Sequence, residues 1–248
     1  MKQTLLKTLI PFGLYPHIRF TYSPFKILEF QALMDRVDFR GDERVLDIGC
    51  GDGLQTFLIG QQTGPITGID LNTTFIEQAR VYAAKLHPRA EADFLDQPLE
   101  AVGFPDDHFD LIFSVCVIEH IPNYEEVLRE CYRTLKPGGR ILFTVDTLET
   151  ISDPDLVSKH RADHHVVQYF RPDTLHTLLE GMGFTDLDME TLFRSGLART
   201  LFEEGIRKGF NFGRFRATRL AKKLAKAEAA TPPDSPGIFL LATARKPA

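Results

Sequence analysis

The chain has 248 residues, is 43% hydrophobic, and carries a formal net charge of −5 and three cysteines. Its length and apolar content suffice for one sizeable core, and the acidic balance offers no overall attraction to nucleic acid. Cys50, Cys116 and Cys131 are odd in number and lack metal-ligand spacing, which argues against a disulfide framework or a zinc site and fits a reducing cytoplasm.

At the start, Lys7 and Pro11 break an apolar run too short for a secretory signal or a membrane span. Residues 1–41 read as an amino-terminal cap segment. Between Leu5 and Phe30 it carries Phe12, Tyr15, His17, Phe20, Tyr22 and Phe25. These aromatics either cover an apolar acceptor or form a layer over a sheet. Val45 to Ile48 predicts a buried parallel strand, with Leu54, Phe57 and Leu58 opening a helical period after three alternate glycines. A second strand, Ile66 to Ile69, ends in Asp70. The helix expected from Thr74 to Leu86 starts on a capping-box pair, Thr74 and Glu77, and presents Ile76, Ala79, Ala83 and Leu86 on one face.

A third strand near Ala90 to Leu95 and a fourth from Phe109 to Val115 follow. A helix beginning around Asn123 turns Val127, Leu128, Cys131 and Leu135 inward until Pro137-Gly-Gly139 stops it before a fifth strand, Arg140 to Val145. Pro172 suits the first turn of another helix, with Leu175, Leu178, Leu179 and Met182 at helical spacing and Gly183 at its end. Phe184 to Phe193 and Gly237 to Ala244 read as the last two strands. The alternation predicts a single α/β domain, with 42–193 as a ligand-binding core, 194–236 as a helical insertion and 237–248 as the final strand.

The most specific signal is Asp47-Ile-Gly-Cys-Gly-Asp-Gly53 followed by Gly68-Ile-Asp-Leu-Asn72. Glycines permit positive φ and close backbone approach, the helix after them offers unpaired N–H groups to an anionic end, and Asp70 is placed to accept both hydroxyls of a ribose. Three further motifs follow: Phe104 to Ser114 (FPDDHFDLIFS), Val117 to Ile121 (VIEHI) and Leu135 to Phe143 (LKPGGRILF). In this order the five motifs resemble the class I S-adenosylmethionine-dependent methyltransferases, in particular their small-molecule branch. The resemblance spans roughly Asp42 to Phe184 plus the final strand. It implies a doubly wound, mostly parallel seven-stranded sheet in the order 3-2-1-4-5-7-6 with an antiparallel last strand.

The resemblance also implies roles around S-adenosyl-L-methionine. Gly49, Cys50 and Gly51 would approach its methionine portion and Asp47 would orient the ammonium. Asp70 would take the ribose and Leu71 would contact adenine. Asp96, with Asp93 as competitor, would accept from the adenine amino group, and Val115 and Cys116 would lie near the sulfonium. A thiol with no partner to lower its pKa is a poor nucleophile, and in-line methyl displacement needs none. For a general base, His120 leads because its ordinary pKa lies near ~6.5, against the alternative of a loop histidine that fixes backbone. Glu119, equally readable as structural, and His164 and His165, more readily solvated loop residues, are further candidates. Asp163 with the two histidines lacks a third spaced ligand cluster, so no metal is expected.

The insertion breaks the charge pattern: Arg194 to Lys226 holds ten basic residues against Glu203 and Glu204. Ala217, Leu220, Ala221 and Leu224 share one helical face, opposite Arg216, Arg219, Lys222, Lys223 and Lys226. Such a helix serves either as a lid with solvated charges or as a peripheral contact with an anionic membrane through 194–226. The expected activity is methyl transfer to a small-molecule or lipid-like acceptor, with oxygen preferred on the VIEHI resemblance. A nicotinamide-dependent oxidoreductase and a non-catalytic nucleoside-binding or membrane-adaptor protein are the alternatives. A nucleic-acid substrate is disfavoured, since no RNA-binding module or asparagine-proline-proline-aromatic signature is present.

Overall fold

A computed structural model describes residues 22–86 and 92–248. The elements run α1 (Pro24–Met34), β1 (Val45–Ile48), α2 (Leu54–Gly60), β2 (Ile66–Ile69), α3 (Thr73–Leu86), β3 (Ala92–Leu95) and α4 (Leu99–Val102). They continue with β4 (Phe109–Val115), a 3-10 turn (Ile118–His120), α5 (Tyr124–Thr134), β5 (Leu135–Asp146), α6 (Pro154–His164) and α7 (Pro172–Gly181). The chain closes with β6 (Thr185–Leu192), α8 (Gly196–Lys208), α9 (Arg214–Ala229) and β7 (Phe239–Arg245). Phe12, Tyr15, His17, Phe20 and the start expected for β3 at Ala90 lie outside the described residues.

The seven strands pair in the order β3-β2-β1-β4-β5-β7-β6, as the family resemblance implies. β1 to β5 are parallel, and β7 runs antiparallel to both β5 and β6. Period-two alternation splits the core between the two faces of the sheet. Ile141, Phe143 and Val145 of β5 meet Leu128 of α5 and Leu179 of α7, while Leu142 joins Phe25 of α1 and Phe202 of α8 on the opposite face. Both faces are thus covered by helices, which is why the central strands read as continuous apolar runs.

Local chemistry shifts several boundaries. α3 begins one residue before the Thr74 predicted to cap it, because the Asn72 side chain accepts from the Phe75 N–H (3.2 Å) while Asp70 accepts from Asn72 N–H (2.8 Å). Thr74 therefore lies inside the first turn rather than at the cap. The segment between β5 and α7 is helical over α6: Asp153 accepts from the N–H groups of Asp155 and Leu156, and Pro154 occupies the first turn. The insertion folds as α8 and α9, whose apolar faces lie in the core through Ala198, Leu201, Phe202, Ala217 and Leu224.

Candidate active site

The carboxyl ends of the parallel strands converge on two adjoining cavities, where ligands sit in open α/β sheets. After β1 the chain turns through Gly49, Gly51 and Gly53, with φ of 73°, 54° and 79°. A Cβ on Gly49 would lie 2.2 Å from Val117 Cγ2, so only glycine lets this loop lie against the segment after β4. Cys50 is buried, its Sγ only 2.8 Å from where a Cβ on Gly68 would lie, and burial pushes its thiol pKa far up. Asp47 is buried too and accepts from Thr56 Oγ1 at 2.6 Å. Burial pushes its carboxyl up to about 7 against the pull of that hydrogen bond, with the Asp70 charge adding to the rise.

Asp70 is held from both sides: Oδ2 accepts from Gly51 N–H (2.9 Å) and Oδ1 from Asn72 N–H (2.8 Å). Each oxygen keeps a lone pair for a ligand hydroxyl. The first cavity, of about 660 Å³, is bounded by Gly49, Asp70, Leu71, Leu99, Val117 and His120. Leu71 is 70% exposed there, an apolar surface beside a fixed carboxylate, which is the pairing an adenosine needs. Asp96 does not line this cavity. It pairs with Arg80 (3.2 Å), and its neighbour Gln97 faces the space instead. Asp93 points from the exposed side of β3.

The second cavity, of about 240 Å³, lies across His120, which lines both. Its walls bring together Lys26, Cys116, Glu119, Asp146, His160 and His164 with Phe25, Phe202, Phe210 and Phe239. Val115 is buried at the end of β4, and Cys116, at φ 51°, turns into this second space. The Cys116 thiol donates to Glu29 Oε1 (2.9 Å), and burial, followed by the Glu29 charge, pushes its pKa well up, so it is inert.

Glu119 is fully buried, its two carboxylate oxygens take no hydrogen bond from the described residues, and burial followed by the Asp146 charge pushes its pKa well above the usual carboxylate range. Its backbone carbonyl accepts from Val167 and Gln168, a structural duty as well. His120 is shifted the other way: burial and the His164 and Lys26 charges outweigh its backbone hydrogen bonds, so its pKa is lowered and the ring is neutral at pH 7. His164 lines the second cavity, with its ring 4.6 Å from that of His160, whereas His165 is the exposed left-handed cap of α6.

Three features escaped the sequence. His160, buried between Tyr169 Oη (3.1 Å) and Asp146 Oδ2 (3.8 Å), is separated in sequence from most of the groups it faces. Glu29, also buried, accepts from Thr144 Oγ1 (2.6 Å) and pairs with Lys26 Nζ (2.9 Å). Donor atoms of Cys116, Glu119 and Asp146 lie within 4.8 Å of one another, a grouping that spacing along the chain did not disclose.

A methyltransferase-domain family model matches residues 46–143, which run from β1 through most of β5 and include the glycine loop, Asp70 and His120. Residues 46–143 thus form a methyltransferase domain of the class I S-adenosylmethionine-dependent kind. A ubiquinone biosynthesis O-methyltransferase of Coxiella burnetii is 26% identical over 155 residues, a match covering 59% of this chain and 65% of that protein. Among solved structures, a phosphoethanolamine N-methyltransferase of Haemonchus contortus superposes with a TM-score of 0.67 at 21% identity, covering 89% of this chain and 53% of that one. The cyclase SpnF superposes with a TM-score of 0.65 at 22% identity over 90% of this chain and 82% of its own. The fold therefore carries methyl transfer to different atoms and cyclisation alike, and it does not fix the acceptor.

The residues present fit the family's cofactor. Asp70, held by two backbone N–H groups, would take a ribose, exposed Leu71 would flank a base, and Gly51 has open space where a Cβ would stand. No helix among the described residues is long and apolar enough to cross a membrane.

Proposed function

We propose that this protein transfers the methyl group of S-adenosyl-L-methionine to a hydroxyl of a small, lipid-like acceptor held in the second cavity. The observation that carries the reading is the shared wall: His120 faces both the cleft that fits the cofactor and the aromatic-lined space beyond it. The cofactor, when bound, supplies an electrophilic methyl on its sulfonium. The four phenylalanines, with His160 and His164, hold an apolar acceptor and exclude water. Neutral His120 would accept the hydroxyl proton, with the cofactor's carbon–sulfur bond breaking as the oxygen takes the methyl and S-adenosylhomocysteine leaving. Alignment alone is worth on the order of 7–11 kcal/mol, so a covalent enzyme intermediate is unnecessary. The O-methyltransferase name of the Coxiella relative supports oxygen and a quinone-like, lipid-soluble class of acceptor.

The test is formation of S-adenosylhomocysteine across a panel of phenols, prenylated phenols and alkylamines. Turnover with the phenols and its loss of ~10²-fold or more in His120→Gln, with cofactor binding retained, is the expected result. Turnover with amines alone overturns the oxygen assignment. Cofactor binding with no methyl transfer to any acceptor overturns the activity.

A further inference from the structure

α9 uses its apolar face internally: Ala217, Ala221 and Leu224 are buried against the domain. At 3.6 residues per turn, the direction opposite that face falls on Phe215, Arg219, Lys222 and Lys226, which follow one another at steps of four, three and four. All four are exposed, Phe215 by 89%, in one stripe about 16 Å long. No carboxylate of the described residues pairs with Arg219, Lys222 or Lys226, whereas Arg216 to the side is clamped on both oxygens of Glu204 in α8 at 2.9 Å. The stripe is therefore rigidly mounted, cationic and headed by a large unburied aromatic ring.

We infer that this face docks the assembled domain on an anionic lipid bilayer, with Arg219, Lys222 and Lys226 on the headgroups and Phe215 at the headgroup and acyl boundary. Charge complementarity supplies the attraction. Phe215 separates a bilayer from other polyanions, because a lone phenyl on a convex helix face has no groove or stacking partner to offer a nucleic-acid strand, while a bilayer takes ring and cations together. Two neighbours point the same way. Exposed Tyr22 is fixed beside the start of α9 by the Phe212 N–H bond to its carbonyl (2.9 Å), and α8, joined to α9 through Arg216, contributes Phe202 to the second cavity. Because the apolar face of α9 stays in the core, docking leaves the fold intact. The inference does not depend on which atom is methylated.

Co-sedimentation of the full chain with phosphatidylcholine vesicles, with and without phosphatidylglycerol, tests it. The triple variant Arg219→Gln/Lys222→Gln/Lys226→Gln and the single variant Phe215→Ala run alongside, with thermal melts to verify folding. The expected result is binding only to the anionic vesicles, weakened by salt. The triple variant should lose on the order of 100-fold, and Phe215→Ala should lose severalfold with the salt dependence unchanged. Absence of binding at low salt, equal binding to neutral vesicles, equal binding of the triple variant, or retention on an oligonucleotide but not on vesicles would each overturn the inference.

Discussion

Asp70, the proposed ribose anchor, is held in place by two backbone N–H groups, from Gly51 and Asn72, on its carboxylate. Replacing it with alanine is expected to weaken cofactor binding by ~1.5–3 kcal/mol in calorimetry, because hydroxyl hydrogen bonds to a charged acceptor are lost. Unchanged affinity would remove Asp70 from the site. Asp47 makes a pH prediction. Burial pushes its carboxyl up to about 7, and a cofactor ammonium brought beside it would favour the ionised form. Affinity for S-adenosyl-L-methionine therefore rises as pH increases towards ~7.5 and then levels, with proton release on binding at neutral pH. Equal heats in buffers of different ionisation enthalpy would contradict this. Asp70 and the glycines were legible because each serves a local backbone need within a few residues. Glu29 and His160 were not, because Glu29 meets Cys116 across 87 positions and His160 meets Asp146 only once α6 folds back over β5.

At the scale of elements, the strands were readable from their apolar runs, and so was the alternation that orders them. α6 carried a signal in Asp153-Pro154, a cap followed by a first-turn proline, but its weak amphipathicity left the segment looking like a loop. The insertion was expected to be helical, yet its division into α8 and α9, and what α8 brings to the second cavity, depended on tertiary packing that periodicity cannot supply. Phe202 is fully buried, with ring centroids 5.3 Å from Phe25, 4.8 Å from Phe210 and 5.6 Å from Phe239. Phe202→Ala is expected to cost about 3–5 kcal/mol of stability in denaturant unfolding and to enlarge the second cavity while leaving cofactor affinity unchanged. Gly49→Ala is expected to lower thermal stability and cofactor affinity together, through a left-handed backbone and the contact with Val117. Val117→Ala in the same chain should recover part of the loss, whereas wild-type melting of Gly49→Ala alone would show that the loop has slack.

For the molecule as a whole, the sheet order places the glycine loop, the end of β4 and the end of β5 side by side on one edge, and the insertion between β6 and β7 covers part of that edge with aromatic side chains. The fold follows from that order. The proposed acceptor rests on the cavity beyond His120. Calorimetric titration of the purified chain with S-adenosyl-L-methionine, S-adenosylhomocysteine and NADH in parallel tests the central claim most directly. Selective micromolar binding of the first two is the predicted result, and binding of NADH alone would contradict it.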